Sequence, residues 1–235
     1  MEYTIENNKE ELVQKQEPKP YNVYFIADTH IGHKNILFYQ PNRVKDLNLK
    51  SAYDVEGMNE YIYKMWDDTV KRGDHVYLLG DVFLGGRIGA WKCIQRLKKK
   101  GANIHLIVGN HDKNIPNFNT QFASIDYIKT VTFKKSVFPF LDEDFRVCLC
   151  HYPMVSWPDK CRGAALIYGH IHSNYPFLDE ETDDLMVNAG FDAPLAHYKL
   201  ISLEQVWRYF KNKRGDLSAV KYVNKIREEN PKFVG

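Results

Sequence analysis

The chain has 235 residues, of which 44% are hydrophobic, so it is long enough to bury the core of one domain. Its 32 basic and 30 acidic residues leave a formal net charge of +2, a balance that neither requires nor excludes a nucleic-acid partner. The polar N-terminus does not resemble a secretory signal, and no stretch approaches the roughly 18 apolar residues of a membrane span. We therefore expect a cytoplasmic protein with no membrane partner.

Three regions of different composition follow one another along the chain. Residues 1–20 are rich in Glu, Lys and Gln and are predicted to form a flexible polar arm. Residues 21–211 contain the regularly spaced apolar segments and are predicted to be the folded domain. Residues 212–235 are a polar tail, with a predicted helix near 220–229.

Strands and helices are predicted to alternate in the first half of the domain. The short β-rich runs 23–27, 75–79 and 104–108 are typical of buried strands. Between them, Met58, Ile62 and Met65 recur at helical spacing within residues 55–70, and a second helix is predicted over 89–100. This alternation indicates parallel βαβ units.

The second half is predicted to consist mainly of strands. These are residues 127–133, 145–150, 164–168, 185–189 and 199–201. Few helices separate them, which favours a second sheet packed on the first and a layered α/β sandwich with helices outside. Cys148 and Cys150 alternate with Leu149 and would point to one face of a strand, so they are interpreted as small core residues.

Five short polar motifs occur where loops follow predicted strands. They are Asp28-Thr29-His30, Gly80-Asp81, Gly109-Asn110-His111-Asp112, His151 and Gly169-His170-Ile171-His172. Each has an ordinary structural alternative, such as a surface turn or a capping Asp. Their joint occurrence nevertheless favours one shared site, because ligands bind at the carboxyl ends of the strands in open α/β sheets.

The side chains of these motifs have the chemistry of metal ligands and of an acid–base catalyst. Two carboxylates, an amide oxygen and several imidazoles are enough to hold two transition-metal ions. Oxygen and imidazole ligands without cysteine suit Mn²⁺, which we favour, as well as Fe, Zn²⁺ or Ni²⁺, better than Ca²⁺. A metal pair about 3.5–4 Å apart is suited to in-line attack on phosphorus. His111 can transfer protons near neutral pH, and Asp112 could fix its tautomer.

In their order and composition the motifs resemble the calcineurin-like metallophosphoesterase superfamily, whose blocks read D-x-H, G-D, G-N-H-(D/E), H and G-H-x-H. All five blocks are present between residues 28 and 172. The resemblance implies a four-layer α/β/β/α sandwich with two packed mixed β-sheets. The segment Asp-Thr-His-Ile-Gly-His at 28–33 and the block at 187–192 look like a compact bacterial and phage subgroup.

The resemblance also implies a role for each motif residue. One metal ion would be held by Asp28, His30 and His172, the other by Asn110, His151 and His170, and Asp81 would bridge the two. His111, with Asp112 behind it, would protonate the leaving oxygen. A hydroxide shared by the metals would be the nucleophile.

A few residues near the motifs are candidates for contacts with the substrate. His33 and Arg43 are predicted to bind a substrate phosphate, with a supporting role behind the ligands as the alternative for His33. Tyr152 and Trp157 could stack on a base or close the core. His75 and His105 lie within predicted strands and are interpreted as structural.

The leading functional hypothesis is a dimetal phosphoesterase that favours a phosphodiester over a monoester, because a site without a lid accepts a bulky substrate. The alternatives are a phosphomonoesterase or protein-phosphatase-like enzyme and a nuclease acting on DNA or RNA. The basic runs 98–100 and 211–214 are either phosphate contacts of such a nuclease or solvated helix ends. A non-catalytic scaffold is a remote alternative, since every ligand position is retained. The oligomeric state is left open.

Overall fold

The computed structural model describes residues 21–112, 116–175, 179 and 184–214. The helices are α1 (Ile36–Tyr39), α2 (Asn42–Asp46), α3 (Val55–Thr69), α4 (Gly86–Lys98) and α5 (Leu203–Arg214). The strands are β1 (Val23–Ile26), β2 (His75–Leu78), β3 (Asn103–Ile107), β4 (Ser124–Asp126), β5 (Ile128–Phe133), β6 (Phe145–Cys150), β7 (Ala165–Tyr168), β8 (Met186–Asn188) and β9 (Ile201–Ser202). The arm predicted at 1–20 and the helix predicted near 220–229 lie outside the described residues.

The strands form two mixed sheets. The first has the order β4-β3-β2-β1-β9, in which β1 to β4 run parallel and β9 pairs antiparallel with β1. The second has the order β5-β6-β7-β8, in which β6 to β8 run parallel and β5 pairs antiparallel with β6. Two packed mixed sheets confirm the predicted fold class.

Alternation along the strands produces three separate cores, one between the sheets and one on the outer face of each sheet. In β6, Phe145, Val147 and Leu149 face the core between the sheets, which also includes Phe25 of β1. Cys148 and Cys150 face the opposite side of the second sheet, as predicted, where Trp157 and other side chains cover them. The outer face of the first sheet packs against α3 and α4. The central strands β1, β2, β3, β6 and β7 thus present apolar side chains on both of their faces.

Helix α3 shows how local sequence positions an element over the first sheet. The Asp54 carboxylate accepts a hydrogen bond from the backbone N–H of Gly57 at 3.1 Å and caps the helix. Met58, Ile62 and Trp66 recur at helical spacing and are buried against the sheet. Val70 leaves the helix in an extended conformation, so the predicted helix is confirmed.

The structure confirms the strand predicted over 127–133 as β5, adds β4 before it, and corrects the sheet of the strand predicted over 199–201. The strand predicted over 127–133 is part of a longer segment in which β4 joins the first sheet and β5 the second, with the exposed Tyr127 between them. The strand predicted over 199–201 does not join the second sheet; β9 pairs with β1 of the first. In both cases the apolar pattern identifies a strand, whereas the pairing partner depends on contacts far away in sequence.

Helix α5 was not anticipated from the sequence. Its side chains Val206, Trp207 and Phe210 are buried in the core between the sheets, and both aromatic rings contact Phe145. The helix crosses the domain boundary predicted at 211, and that boundary stays a prediction. Among the described residues, none of the helices combines the length and the apolar character needed to cross a membrane.

Candidate metal centre

The predicted ligands lie in loops that leave the carboxyl ends of parallel strands. Asp28 follows β1, Asp81 follows β2 and Asn110 follows β3 in the first sheet. His151 follows β6 and His170 follows β7 in the second. Contacts such as the backbone N–H of His170 to Asp28 Oδ2 at 2.8 Å join the two sets of loops. The packing of the sheets therefore assembles one site from both.

Asp28, His30 and His172 form the first ligand group. One ligand atom from each lies within 4.8 Å of the other two. Asp28 Oδ1 and both ring nitrogens of His30 are buried without a hydrogen-bond partner among the described residues. Buried polar atoms of this kind are costly, and a cation would satisfy Asp28 Oδ1 and the one ring nitrogen of His30 that carries a lone pair. The side chains present thus fit a metal ion.

Asp81, His151 and His170 form the second ligand group, again with ligand atoms within 4.8 Å of one another. Nδ1 of His151 lies 2.8 Å from the carbonyl oxygen of Leu79 and donates to it, which leaves Nε2 as the ligand nitrogen. That Nε2 is 3.4 Å from Asp81 Oδ2 and 3.2 Å from Asn110 Oδ1. Asn110 is thereby placed beside the second group.

Asp81 belongs to the second ligand group and also faces the first. Its Oδ2 is 3.4 Å from His151 Nε2 in the second group and 3.8 Å from His30 Nε2 in the first. Its Oδ1 accepts a hydrogen bond from the backbone N–H of His111 at 2.8 Å. One oxygen is therefore anchored, while the other faces both groups.

The backbone at the ligands is held in an unusual conformation. Five ligands have positive φ angles, from 50° to 75°: Asp28, His30, Asp81, His170 and His172. Non-glycine residues adopt this region at a cost, and clusters of them mark functional sites. The sharp turns direct neighbouring ligands into the site, and the packing of the two sheets offsets the cost of the strained backbone.

Two motif glycines are required by close packing behind the ligands. A Cβ atom at Gly80, whose φ is +90°, would overlap Nδ1 of His151. A Cβ atom at Gly109 would overlap Oδ1 of Asp81. The glycines of the G-D and G-N-H motifs thus let the loops approach each other closely enough to bring the ligands together.

The two carboxylates have opposite electrostatic environments. Burial raises the pKa of Asp28 to about 7, although His172 and His151 partly offset it. Burial also acts to raise the pKa of Asp81, but the hydrogen bond and charge of His151 outweigh it and hold that pKa at about 2. Burial lowers the pKa of His30 to about 2, so its ring is neutral and suited to ligation.

His111 lies beside the ligands at the surface of the site. Its Nε2 is 3.9 Å from Asp81 Oδ2, and its side chain is 42% exposed. Asp112 does not lie behind it as predicted. The Asp112 carboxylate accepts hydrogen bonds from the backbone N–H groups of Gly109, Asp81 and Val82 at 2.8–3.0 Å. These three hydrogen bonds join the loop after β2 to the loop after β3. The Asp112 carboxylate thus binds backbone groups and not the ring of His111.

The two predicted substrate-binding residues have different positions. The ring of His33 is partly exposed, and its centroid lies 5.3 Å from that of His30 and 6.2 Å from that of His111, so it lies at the site. Arg43 is wholly buried, and its guanidinium donates to protein groups, including the carbonyl oxygen of Asp28 at 2.7 Å. Solvent and substrate do not reach it, so the prediction that Arg43 binds a phosphate is wrong for this structure.

Two functional candidates were missed by the sequence reasoning, although they lie in the block 187–192 that was noted there. Asp192 contacts Nδ1 of His172 at 3.2 Å with both carboxylate oxygens. The side-chain amide of Asn188 donates to the carbonyl oxygen of His172 at 2.7 Å. The sequence signal was that the polar residues Asn188 and Asp192 flank the apolar residues 189–191, which follow the last motif.

The aromatic candidates are also distinguished by the structure. Trp157 is buried, and its Nε1 donates to the carbonyl oxygen of Ala164 at 2.8 Å, so it closes a core. Tyr152 is 42% exposed, and its ring centroid lies 4.6 Å from that of His170. An exposed aromatic face therefore borders the second ligand group.

Comparison with known proteins supports these assignments at the level of the family. Residues 21–193 match the family model described as calcineurin-like phosphoesterase. An uncharacterized protein, MJ1445, of Methanocaldococcus jannaschii is 30% identical over 78% of this chain and 88% of its own length. The gene 66 protein of Mycobacterium phage L5 is 25% identical over 79% of this chain and 92% of its own length.

A solved structure has a similar fold. It is that of AQ665, a protein of unknown function from Aquifex aeolicus, which superposes with a TM-score of 0.60 at 23% identity. The match covers 80% of this chain and 98% of the other. At this level of identity the similarity concerns the arrangement of the sheets.

Proposed function

The chain belongs to the calcineurin-like phosphoesterase family, and on that premise we propose that it hydrolyses phosphate diesters with two divalent metal ions and His111 as general acid. Two neighbouring groups of metal-binding residues, with Asp81 of the second group also facing His30 of the first, are the observation that carries this proposal. Metal-dependent phosphoester hydrolysis follows from the family and from these groups. The diester preference, the choice of Mn²⁺ and the residue roles are our proposals.

Different residues of the chain would bind the metal ions and border the substrate. One ion would be held by Asp28, His30 and His172, the other by Asn110, His151 and His170, with Asp81 between them. When bound, the ions supply an activated water nucleophile and neutralise charge on the phosphoryl oxygens. Asp28 and His30 of the first group are buried, whereas Asn110, His111 and His170 are exposed and would border the entrance for the substrate.

His111 would donate a proton to the leaving oxygen. Its backbone N–H is fixed to Asp81 Oδ1, and its ring is at the open side of the site. A general acid must lie within hydrogen-bond reach of the leaving group, and an exposed imidazole beside the ligands meets that requirement for a substrate bound there. His33 is the second imidazole that such a substrate would meet.

Tyr152 supports the preference for diesters. A diester differs from a monoester in its second organic group, which must lie against protein or solvent beside the phosphorus. The exposed ring of Tyr152 borders His170, and its hydroxyl is 3.5 Å from Asn110 Oδ1. An aromatic face in this place can stack on a planar ester group.

The experiment is to strip the protein of metal, reload it with Mn²⁺, and compare kcat/KM for bis(p-nitrophenyl) phosphate and p-nitrophenyl phosphate. We expect the diester to be the better substrate. Tyr152→Ala should raise KM for the diester by about 10-fold and leave the monoester nearly unchanged, because one stacked ring contributes about 1–3 kcal/mol. Tyr152→Phe is the matched control. A higher kcat/KM for the monoester would contradict the preference.

The basic run 98–100, one argument for the nuclease alternative, lies away from the ligand groups. Lys98 is the last residue of α4, and residues 99–100 lie between α4 and β3, so this run is at the amino ends of the parallel strands, opposite the ligand groups. Lys98 and Lys100 also hydrogen bond to Gln121 and to the carbonyl oxygen of Asp67. These lysines therefore give no support to a nucleic-acid strand bound at the ligand groups. Salt-sensitive cleavage of single-stranded DNA by the loaded protein would restore this alternative.

A further inference from the structure

A buried ion pair lies directly behind the first ligand group. The side chains of Arg43 and Asp192 are 0% and 2% exposed, and Nη2 of Arg43 lies 3.2 Å from Oδ2 of Asp192. A charged pair this deep is costly to desolvate, so further contacts must offset that cost. The pair joins residues 149 positions apart in the chain.

Arg43 fixes the backbone of the first motif. Its Nη2 donates to the carbonyl oxygen of Asp28 at 2.7 Å, and its Nη1 donates to that of Thr29 at 3.2 Å. Both carbonyls belong to the sharp turn in which Asp28 and His30 have positive φ angles. The guanidinium therefore stabilises the strained turn that presents two ligands.

Asp192 fixes the ring of His172. Its two oxygens each lie 3.2 Å from Nδ1 of that ring. A carboxylate only accepts hydrogen bonds, so Nδ1 must carry the proton, and Nε2 is left with its lone pair for an ion. Nη2 of Arg43 is farther from Nδ1, at 3.5 Å, and it already donates to Asp28 and Asp192.

We propose that Arg43 and Asp192 are positioning residues that prepare the first ligand group for its metal ion before the ion binds. Arg43 sets the turn that carries Asp28 and His30, and Asp192 sets the tautomer of His172. The proposal rests on the proposed function only in that an ion occupies this group. The pair acts through the ligands and does not itself contact substrate.

Asp192→Asn is a specific test because Arg43 and His172 would then contact different ends of the amide, the acceptor oxygen and the donor nitrogen. Arg43 has only donors, so it takes the amide oxygen, and the amide nitrogen is then directed at Nδ1 of His172. Nδ1 must accept, which moves the ring proton to Nε2, the nitrogen that should bind the ion. The substitution thus retains shape and volume but inverts the tautomer.

The first measurement is the ¹⁵N spectrum of the histidine rings in metal-free protein at alkaline pH. We expect the His172 proton on Nδ1 in the wild type and on Nε2 in Asp192→Asn. A wild-type ring protonated on Nε2 would overturn the proposal, and this readout needs no variant to fold. It is also independent of metal loading and of turnover, so a failure of the proposed function leaves it unaffected.

The second measurement is Mn²⁺ binding by calorimetry, with metal content after dialysis. In Asp192→Asn the first group should bind its ion about 10–100-fold more weakly, while the second group keeps its affinity. Asp74→Asn is the matched control, because Asp74 is also buried and bonds to backbone N–H groups, but precedes β2 at the opposite edge of the sheet. Two ions bound with wild-type affinity by Asp192→Asn would overturn the proposal.

Discussion

His111 illustrates how one residue combines a fixed backbone with a free side chain. Its backbone N–H is bound to Asp81 Oδ1, whereas its ring is exposed and belongs to neither ligand group. A substitution at this position should therefore separate proton transfer from metal binding. Few other residues of the site permit this separation, because most of their side chains lie among the ligands.

We expect His111→Asn to keep both metal ions and to slow turnover by about 10²–10⁴-fold, the range for loss of a general acid. Metal binding should persist because Asn keeps the backbone N–H that anchors Asp81. The measurement is kcat for a diester with a poor leaving group, with metal content determined on the same sample. The p-nitrophenyl ester is the control, since its leaving group depends less on protonation. Full activity on the poor leaving group would exclude His111 as the acid.

At the scale of elements, β2 and β3 are joined by a histidine pair away from the metal centre. Nδ1 of His75 lies 3.0 Å from Nε2 of His105, and Nδ1 of His105 lies 3.0 Å from the hydroxyl of Ser124 in β4. The two rings stack at 5.2 Å between centroids. The interpretation of both histidines as structural agrees with these contacts across three neighbouring strands.

The His75–His105 pair predicts a loss of stability in acid. Burial, followed by the positive charges of His75 and Lys129, lowers the pKa of His105 to about 4. The unfolded chain, with a histidine pKa of about 6.5, binds more protons between pH 6.5 and 4, so the free energy of unfolding falls as pH falls through this window. In metal-free protein, wild type should lose about 1–2 kcal/mol more than His105→Gln between pH 7 and 5, measured by urea unfolding. Equal losses would contradict this assignment.

The elements also differ in how far the sequence predicts them. Helix α3 has a capping Asp54 and a long apolar stripe, and it is found where it was expected. Helix α5 has the same spacing of apolar residues, at Leu203, Val206, Trp207 and Phe210, yet it was missed because it adjoins the polar tail. A helix that begins directly after a two-residue strand leaves no loop to mark its start.

At the scale of the whole molecule, the site belongs to neither sheet alone. The loops of the first sheet contribute Asp28, His30 and Asp81, and those of the second contribute His151, His170 and His172. The buried unpaired atoms of Asp28 and His30 remain a cost to the fold until a cation meets them. Metal binding should therefore be linked to global stability.

We expect removal of metal by EDTA to lower the melting temperature, and Mn²⁺ to restore it. An ion at about 100 times its Kd stabilises the folded state by about 2.7 kcal/mol, provided that the unfolded chain does not bind it. Differential scanning calorimetry with and without Mn²⁺ measures the increment. Asp28→Asn serves as the comparison and should show a smaller increment, because it weakens the first ligand group. An identical melting temperature in EDTA and in Mn²⁺ would show that the groups do not hold ions.

The sequence by itself determined the family, most of the strands and the set of ligand types, because these depend on local spacing and on motifs of a few residues. Only the tertiary structure decided which sheet each strand joins, that Asp192 supports His172, and that Arg43 and Asp112 serve the loops. Such pairings bring together residues far apart in the chain, such as Tyr24 of β1 with Ser202 of β9 and Arg43 with Asp192. They depend on how the two sheets pack. The local sequence does not show whether an arginine is exposed at the surface or buried in contact with backbone groups, as Arg43 is.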